Sequence, residues 1–462
     1  MKRSSVLPFA SLAAALALGA CADVSTEPAS VAGPSLSTAS GGRYVVEFKG
    51  NGVPSGFASQ VGALGGTVTA AFGGAGIALV SGLSEAAAAQ LGGASGVQRV
   101  QPDVALQVLE PNEMAGAEAV ADAAVESPGN PTTAARYPRQ WHLRAIGAQH
   151  AWAAGKLGSG GVTVAILDTG LGYTHPDLVG RVDLARSASF VPSDDAIVAG
   201  MPGVHPVADL HYHGTHVGAT VSSNALAAAG VTSGTTLIGV KVLDRTGNGS
   251  FGGILAGIVY AADQGADVIN MSLGGVFNRR DAGGFLGAIN RAVNYAYSQG
   301  TLVVVSAGNS ALDMDHDGNG YKSFCSSPSV VCVSATGPTS GGTVGPWANV
   351  DNLATYSNFG RSSISVAAPG GNTGGSVWAA CSPFSLSFPV CGTGTFVLGA
   401  SGTSMASPHV TGLAALIVAE IGPNNPAQVR ARLQQTADDL GEPGTDPAYG
   451  KGRINDARAL GL

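Results

Sequence analysis

The sequence predicts an α/β fold of three layers, a mostly parallel sheet with helices on both faces, preceded by a small α+β domain. Two observations predict the larger part. Residues 162–167 form a continuous apolar run, which is typical of a parallel strand buried on both faces. Apolar strand runs and helical patterns then alternate as far as residue 438. Such alternation favours a parallel sheet with helical crossovers.

The predicted elements of this larger part follow one another without an internal repeat. They are strand 162–167, a helix that opens at His213 and continues over 217–229, strand 237–243, helix 252–264, strand 268–272, helix 283–298, strands 302–306, 330–335 and 364–367, a helix from Ser404, and helix 426–438.

A small α+β domain is predicted over residues 43–108. The segments with strand or helix patterns are 43–48, 56–64, 76–80, 84–91 and 97–100. Their order suits β-α-β-β-α-β, the order of a ferredoxin-like sandwich. Such a unit forms an independent domain.

The composition excludes two classes of protein. The 462 residues include 69 glycines, only 11% of residues are charged, and mean hydropathy is positive at +0.23. These values exclude a disordered chain and suit a compact exported protein. The net charge is −7 and basic residues form no clustered patch, so we expect no nucleic-acid partner.

The N-terminus has the pattern of a secretory signal, predicted over residues 1–21. A basic start precedes the apolar stretch 6–20, which is short for a membrane span. The letters LGAC, ending at Cys21, resemble a lipobox in which Cys21 is lipidated, and an ordinary signal cut nearby is the alternative. Residues 22–42 are a predicted linker. We therefore expect an extracytoplasmic protein, secreted or held at the cell envelope by a lipid anchor.

Ser404 lies among small residues in GTSMASPHV (402–410), ahead of an apolar helix pattern. N–H groups in the first turn of a helix lack intrahelical partners and the dipole is positive there, so an oxyanion beside Ser404 would be stabilised. A helix N-cap is the alternative role. Two upstream residues favour catalysis. Asp168 ends a buried strand and His213 opens a helix, and ligands of open α/β sheets bind where the strands end.

The chain order Asp, His, Ser is the subtilisin order of the catalytic triad, and with these residues in view the chain resembles the subtilisin-like serine protease family. The matching motifs are AILDTG (165–170), HGTHV (213–217), SLGG (272–275), AGN (307–309) and GTSMASPHV (402–410). They span most of residues 138–462, the predicted catalytic domain. The resemblance implies a monomeric serine endopeptidase that acts on protein or peptide substrates and needs no cofactor for catalysis.

The resemblance also assigns catalytic roles. A serine hydroxyl is a weak nucleophile and needs a base within reach. Ser404 is the implied nucleophile, His213 the base, and Asp168 the group that fixes the imidazole tautomer and stabilises the imidazolium. Asn309 resembles the family's side-chain oxyanion donor, with the Ser404 N–H as the second donor. A turn residue is the alternative for Asn309.

Other histidines and other functions compete with this interpretation. His216 faces roughly the same side of its helix as His213, but the family match makes it a packing or hydrogen-bonding neighbour. His175 and His409 are also expected to be structural. A pseudo-enzyme binding module is disfavoured because every catalytic residue is present. An esterase of the α/β-hydrolase type is disfavoured because Ser404 lacks the G-x-S-x-G elbow.

Residues 247–252 formally match G-x-G-x-x-G. A dinucleotide-binding motif needs an acidic residue at the end of the next strand, about twenty residues further on. Here that acid, Asp267, comes before the strand, so we reject a dinucleotide site. The resemblance instead makes 247–249 an open edge on which a peptide substrate adds as a strand, and 272–274 the opposite edge. The implied substrate-binding residues are Gly247, Asn248, Gly249, Phe251, Ser272, Leu273 and Gly274.

An acidic segment after the AGN motif has acids at positions one, three and five and a glycine at six, like the start of a calcium loop. The twelfth position is Phe324, where an EF-hand carries Glu, so the segment is not an EF-hand. We predict a structural calcium site, and a solvated acidic turn is the alternative. The predicted ligands are Asp313, Asp315, Asp317 and Asn319.

Five cysteines occur, and with Cys21 set aside four remain, which allow three pairings in an exported protein. We predict the disulfides Cys325–Cys332 and Cys381–Cys391. Each closes a short loop, which limits its entropic benefit. Free buried thiols are the alternative, and the absence of CxxC spacing disfavours zinc.

Residues 43–108 resemble the family's inhibitory propeptide, and their end, 101–108, resembles the segment that lies in the protease cleft. The chain's own propeptide is then an intramolecular inhibitor and chaperone, and a permanent accessory domain is the alternative. Residues 109–137, rich in Ala, Glu and Pro, are predicted to be a flexible linker that contains the maturation cleavage site. We therefore expect a self-processing precursor.

Overall fold

The computed structural model describes residues 42–107, 113–120, 129–274, 277–316, 320–321 and 324–462. The elements of its first part are β1 (Tyr44–Phe48), α1 (Phe57–Ala63), β2 (Thr67–Phe72), β3 (Ile77–Ser81), α2 (Glu85–Gly92) and β4 (Val97–Pro102). They form a four-stranded antiparallel sheet of order β2-β3-β1-β4. No apolar run marks β2 in the sequence, because its residues alternate between exposed and half-buried positions.

The rest of the chain contains a larger set of elements. They are β5 (Ala105–Gln107), β6 (Glu113–Ala119), α3 (Trp141–Ala145), α4 (Ala148–Ala153), β7 (Thr163–Asp168), β8 (Ala188–Ser189), α5 (Pro192–Val198), α6 (His213–Val221), β9 (Thr236–Lys241), β10 (Asn248–Ser250), α7 (Phe251–Asp263), β11 (Val268–Met271), β12 (Phe277–Asn278), α8 (Arg279–Ser298), β13 (Leu302–Ser306), β14 (Gly320–Tyr321), β15 (Val330–Thr336), β16 (Val366–Pro369), β17 (Val377–Ala380), β18 (Phe396–Ser401), α9 (Thr403–Ile421), α10 (Pro426–Gln435) and α11 (Asp456–Ala459). Short 3₁₀ turns cover Pro131–Thr133, Tyr137–Arg139, Leu184–Arg186, Phe324–Ser326 and Pro389–Thr393.

The central sheet has seven strands in the order β16-β15-β13-β11-β7-β9-β8, and each described pair in it is parallel. Alternate residues of β7 point to opposite faces. Val164 and Ile166 share a core with the buried faces of α6 and α9, whereas Ala165 and Leu167 share one with α7 and α8. The prediction of a three-layer, mostly parallel α/β fold is confirmed.

The predicted helix over 217–229 is wrong in its second half, because α6 ends at Val221. The buried carboxylate of Asp177 accepts hydrogen bonds from the N–H groups of Leu226, Ala227 and Ala228, at 2.8 to 2.9 Å. Residues 226–228 therefore form a loop around the carboxylate, and their N–H groups do not make helical hydrogen bonds. A contact between residues far apart in sequence overrides the small-residue pattern.

The predicted flexible linker over 109–137 also differs from the structure. β6 pairs antiparallel with β18 and completes a three-stranded sheet of order β17-β18-β6. Residues 108–112 and 121–128 lie outside the described residues. The signal, the possible lipobox at Cys21 and most of the linker 22–42 lie outside them too.

α9 is the long apolar helix that the GTSMASPHV motif opens. By length and composition it could cross a membrane, but 83% of its most apolar window is buried inside the protein. It contacts β11, β13, β15 and β16 and packs against α6. α9 is therefore a core helix, and its first turn meets the edge of the sheet.

Candidate active site

Asp168 and His213 form a buried pair at the carboxyl end of β7. Nδ1 of His213 lies 2.7 Å from Oδ1 of Asp168, and the two side chains are 1% and 0% exposed. The Thr169 N–H also donates to Oδ1 of Asp168 at 2.7 Å. This oxygen therefore accepts from two sides, and the imidazole is held with Nδ1 toward the carboxylate.

Asp209, which the sequence analysis does not identify, positions the start of α6. Its carboxylate accepts from the Thr169 hydroxyl at 2.8 Å and from the Thr215 N–H at 2.9 Å. Gly214 packs so closely on the turn after β7 that an added Cβ would overlap the carbonyl oxygen of Gly170. The HGTHV motif thus needs its glycine for packing, and this packing sets His213 against Asp168.

Ser404 is the second residue of α9 and is 2% exposed. Gly402 precedes the helix and no side chain caps it, so Ser404 is not its N-cap. Its hydroxyl donates to the carbonyl oxygen of Ser272 at 3.2 Å, and the Ser272 hydroxyl donates to the carbonyl oxygen of Ser404 at 2.7 Å. Ser272 therefore holds the first turn of α9 against the end of β11.

Asp168 and Ser272 lie at one edge of the sheet because neighbouring parallel strands end together, and His213 and Ser404 are bonded to them. β7 and β11 are adjacent in a register that sets Ile166 beside Asn270. Asp168 and Ser272, each two residues further on, are therefore level on strands that are about 4.8 Å apart. Ser404 is bonded to Ser272, and α6, which His213 opens, packs against α9.

Asn309 lies three residues beyond β13, the strand next to β11. Its Oδ1 accepts from the N–H and the hydroxyl of Thr403, at 2.8 and 2.7 Å, and the Thr403 hydroxyl accepts from the Gly308 N–H at 3.0 Å. Because α9 engages the oxygen of this amide, it also fixes the direction of the NH₂ group. Thr403 is a second positioning residue that the sequence analysis does not identify.

The other buried histidines near the site have structural partners. Nε2 of His216 lies 3.1 Å from the carbonyl oxygens of Val377 and Leu398, and burial lowers the pKa of His216 to about 3. Burial also lowers the pKa of His409 to about 4, and its Nδ1 bonds the Met405 carbonyl at 2.8 Å. His175, whose pKa burial lowers, bonds the Phe396 carbonyl at 3.0 Å. These contacts match the expected structural roles.

The predicted edge at 247–249 overlaps β10, whose residues 248–250 are paired with the chain's own β5. The pairing is antiparallel and sets Asn248 beside Gln107, Gly249 beside Leu106 and Ser250 beside Ala105. Leu106 is 5% exposed and lies in one core cluster with Phe251. On the opposite side, Ser272, Leu273 and Gly274 are buried and irregular.

The residues just before β5 cap α7. The Gly252 N–H donates to Oδ1 of Asp103 at 2.8 Å, and the Phe251 N–H donates to the Val104 carbonyl at 2.8 Å. Burial raises the pKa of Asp103, and the hydrogen bond from Gly252 and the charge of Arg43 oppose this by lowering it. Two of the N–H groups that a helix start leaves without intrahelical partners are thus satisfied by the small domain.

The described part of the acidic segment contains two of the four predicted calcium ligands, Asp313 and Asp315. Asp313 bonds Nδ1 of His316 at 2.9 Å, and Asp315 accepts from the N–H of Ser362 at 3.2 Å. Among the described residues, no three His, Cys, Asp or Glu side chains are grouped to hold a metal ion. Asp317 and Asn319 lie outside the described residues.

Both predicted disulfides are present. Cys325 is bonded to Cys332 and Cys381 to Cys391, with Cα atoms 5.2 and 6.0 Å apart. The second closes a loop that packs on Tyr212, next to His213 in the chain. The disulfide therefore holds this loop in place beside His213.

Comparison with known proteins gives consistent family matches. The model of the subtilase family matches residues 159–452. A thermophilic serine proteinase of Bacillus sp. (strain AK1) is 36% identical over 314 residues, 67% of this chain and 64% of that protein. Thermitase of Thermoactinomyces vulgaris is 32% identical over 325 residues, 70% of this chain and 96% of thermitase.

Solved structures share the fold. The epidermin leader peptide processing serine protease of Staphylococcus aureus has a TM-score of 0.70 at 23% identity, covering 91% of this chain and 97% of its own. Fervidolysin of Fervidobacterium pennivorans, a keratinolytic enzyme related to subtilisin, has a TM-score of 0.67 at 24% identity, covering 92% of this chain and 61% of its own.

Proposed function

The chain belongs to the subtilase family of serine endopeptidases, and on that premise we propose that it is an exported enzyme that cleaves peptide bonds through an acyl-enzyme on Ser404. The observation that carries the proposal is the 2.7 Å contact between His213 and Asp168 at the edge where α9 begins, with Ser404 as the second residue of this helix. Protein or peptide segments are the proposed substrates.

The first step removes the Ser404 proton as its oxygen attacks the substrate carbonyl. Asp168 holds Nδ1 of His213, which leaves Nε2 as the nitrogen that takes the proton. The carboxylate stabilises the resulting imidazolium without accepting the proton. His213 then returns the proton to the leaving amine, and the acyl-enzyme forms. Water, activated by the same imidazole, releases the acid product.

The tetrahedral intermediate places negative charge on the former carbonyl oxygen. The Ser404 N–H, in the first turn of α9, is one proposed donor, since first-turn N–H groups have no intrahelical partner. The Asn309 NH₂ is the second. Such donors act without reorganisation when they are already oriented, and the bonds from Thr403 supply this orientation.

The test is labelling of the protein with a serine-directed fluorophosphonate. Labelling that Ser404→Ala abolishes supports Ser404 as the nucleophile, whereas labelling that survives the substitution contradicts it.

Casein and a short-chain ester then distinguish peptide hydrolysis from ester hydrolysis. Faster turnover of the ester with no cleavage of casein would favour an esterase.

We further propose that residues 43–108 are an inhibitory propeptide and that the precursor processes itself. Support comes from β5, which adds as a strand to the edge at 247–249, where a substrate would add. The domain also rests on α8, where Arg291 lies 3.5 Å from the buried Glu47. While β5 stays paired, this edge is closed to substrate.

Two variants test the propeptide. Ser404→Ala protein should keep residues 43–108 attached, and their normal removal with no other protease present would refute self-processing. Leu106→Asp, which places a charge in the buried anchor of β5, should bring the onset of activity forward. Gln90→Asp on the exposed face of α2 is the matched control, and an equal effect of both would contradict inhibition through β5.

Export and calcium binding remain hypotheses with direct tests. A diacylglyceryl mass on the N-terminal peptide would support lipidation of Cys21, and an unmodified Cys21 would contradict it.

The acidic segment at Asp313, Asp315, Asp317 and Asn319 is the calcium site that we propose from the sequence. An unchanged melting temperature in chelator would reduce it to an acidic loop.

A further inference from the structure

The chain beyond β5 forms a second strand on the catalytic domain. β6 pairs antiparallel with β18 from Glu113 beside Ser401 to Ala119 beside Phe396. β18 ends three residues before Ser404. The strand on this edge therefore lies next to the catalytic serine in the fold.

β6 is held by residues that follow it in the chain. Glu118 forms ion pairs with Arg136 and Arg139, and the Arg136 guanidinium donates to the Ala119 carbonyl at 2.8 Å. The Val120 N–H donates to the Thr395 carbonyl at 2.8 Å. These contacts are made with residues that follow β6 in the chain.

Val120 adds an apolar anchor at the end of the strand. It is 6% exposed and shares a cluster with Trp378, Val397, Ala227 and Ala228, all in the catalytic part. Upstream, the Tyr212 hydroxyl donates to the Met114 sulfur at 2.8 Å. A segment with main-chain, ionic and apolar contacts to one domain has the properties of a strand of that domain.

The pairing of β5 with β10 and of β6 with β18 shows the direction in which the chain runs along the site. The chain passes first along β10, as β5, and then along β18, as β6. If a substrate follows the same course, the edge at β10 takes the residues before the scissile bond and the edge at β18 takes those after it. A cut between β5 and β6 therefore leaves β6 on the second edge.

We propose that residues 113–120 stay in the mature enzyme as its N-terminal strand and compete there with the part of a substrate that follows the scissile bond. This inference rests on the proposed function, because processing needs peptide hydrolysis. Water supplies OH to the new carboxyl terminus of the released domain and H to the new amino terminus ahead of β6. An attached strand has a high effective concentration, so a substrate must displace it.

The first test is N-terminal sequencing of the self-processed enzyme, made from the full chain. The inference expects an N-terminus within residues 108–113, between β5 and β6. An active enzyme that begins after Glu113, or that keeps residues 43–107, overturns the inference and leaves the proposed function intact. A chain that hydrolyses no peptide contradicts the proposed function, and the inference with it.

The second test compares two peptide substrates that are identical before the scissile bond. One ends in a nitroanilide and the other continues for several residues. Val120→Asp and Glu118→Ala should detach β6 and lower KM for the long substrate about threefold or more, with KM for the nitroanilide unchanged. The second variant serves where the buried charge of the first prevents folding.

The control is Glu442→Ala, since this carboxylate is 84% exposed and pairs only loosely with Arg361, at 3.7 Å. It should change neither KM. Equal changes for both substrates in the β6 variants, or no change for the long one, would show that β6 does not occupy the edge that substrates use.

Discussion

Nδ1 of His142 lies 2.8 Å from Nε2 of His409, and both imidazoles are fully buried. One ring donates and the other accepts, which requires at least one neutral imidazole. His409 in turn bonds the Met405 carbonyl, in the turn that follows Ser404. The pair therefore ties the first turns of α9 to α3.

This pair predicts that stability falls in mild acid. Burial lowers the pKa of His409 from 6.5 to about 4, and burial first, then His409, lowers the pKa of His142 well below its ordinary value. The unfolded chain binds these protons from about pH 6.5 downward, whereas the folded chain does not, so the free energy of unfolding decreases as pH falls from 6.5 to 4. His409 alone accounts for about 3 kcal/mol at pH 4.

Denaturant unfolding of the Ser404→Ala protein across this range measures the effect, since that variant avoids self-digestion. His142→Gln should flatten the decline, whereas His150→Gln, at an exposed position, should leave it unchanged. A flat profile in the parent protein would contradict the prediction.

Removal of the Asn309 amide should lower kcat with little change in KM. Asn309→Ala deletes the proposed oxyanion donor and also the acceptor of the two Thr403 bonds. Loss of such a donor costs about 100- to 1,000-fold in kcat, a figure measured on subtilisin, a member of this family. Steady-state kinetics on a peptide nitroanilide gives both constants. A loss confined to KM would assign Asn309 to substrate binding.

Thr403→Val separates the donor from its support. This variant keeps the Asn309 NH₂ but removes the hydroxyl that bridges Gly308 and Asn309. We expect a smaller loss of kcat than in Asn309→Ala, because the Thr403 N–H still holds the amide. A loss as large as that of Asn309→Ala would show that orientation by the hydroxyl supplies most of the effect.

The sequence predicts the end of β7 and the start of α6 because the signals for both are local. The apolar run that ends in Asp168 and the motif that opens a helix at His213 can each be recognised from a few consecutive residues. The end of α6 is not predictable in this way, since it depends on the Asp177 carboxylate, which meets residues 226–228 only in the folded chain. β6 is missed for the same reason. Its small residues carry no strand period, and β18 supplies its hydrogen bonds.

The disulfide Cys381–Cys391 should contribute about 3 kcal/mol to stability, the chain-entropy value for a loop of this length. The two cysteines are 10 residues apart in sequence. Cys381→Ser with Cys391→Ser should lower the free energy of unfolding by this amount and raise KM, because the loop packs on Tyr212 beside His213. Denaturant unfolding and kinetics on one substrate measure the two effects. Unchanged KM would show that the loop keeps its place without the bond.

Loss of one partner of the buried ion pair between Lys241 and Asp194 should lower the free energy of unfolding more than loss of a surface charge. Nζ of Lys241 lies 2.7 Å from the carboxylate, and both side chains are 0% exposed. Lys241→Met leaves Asp194 buried with only the half-exposed Arg245 at 3.3 Å. Removal of one partner of a buried pair costs about 3–5 kcal/mol, and Arg245 should hold the loss near the lower end.

A surface pair provides the matched control. Lys156→Met removes one partner of Glu420, which also pairs with Arg432. Lys156 is 40% exposed and lies 2.9 Å from Glu420, and such surface pairs contribute about 1 kcal/mol or less. The double variant Lys241→Met with Asp194→Leu should recover much of the stability lost in Lys241→Met, because no unpaired charge is left in the core. Denaturant unfolding of the three proteins decides the matter. A double variant less stable than Lys241→Met would mean that Asp194 still stabilises the fold through other contacts, such as that with Arg245, and that the unpaired charge is not the source of the loss.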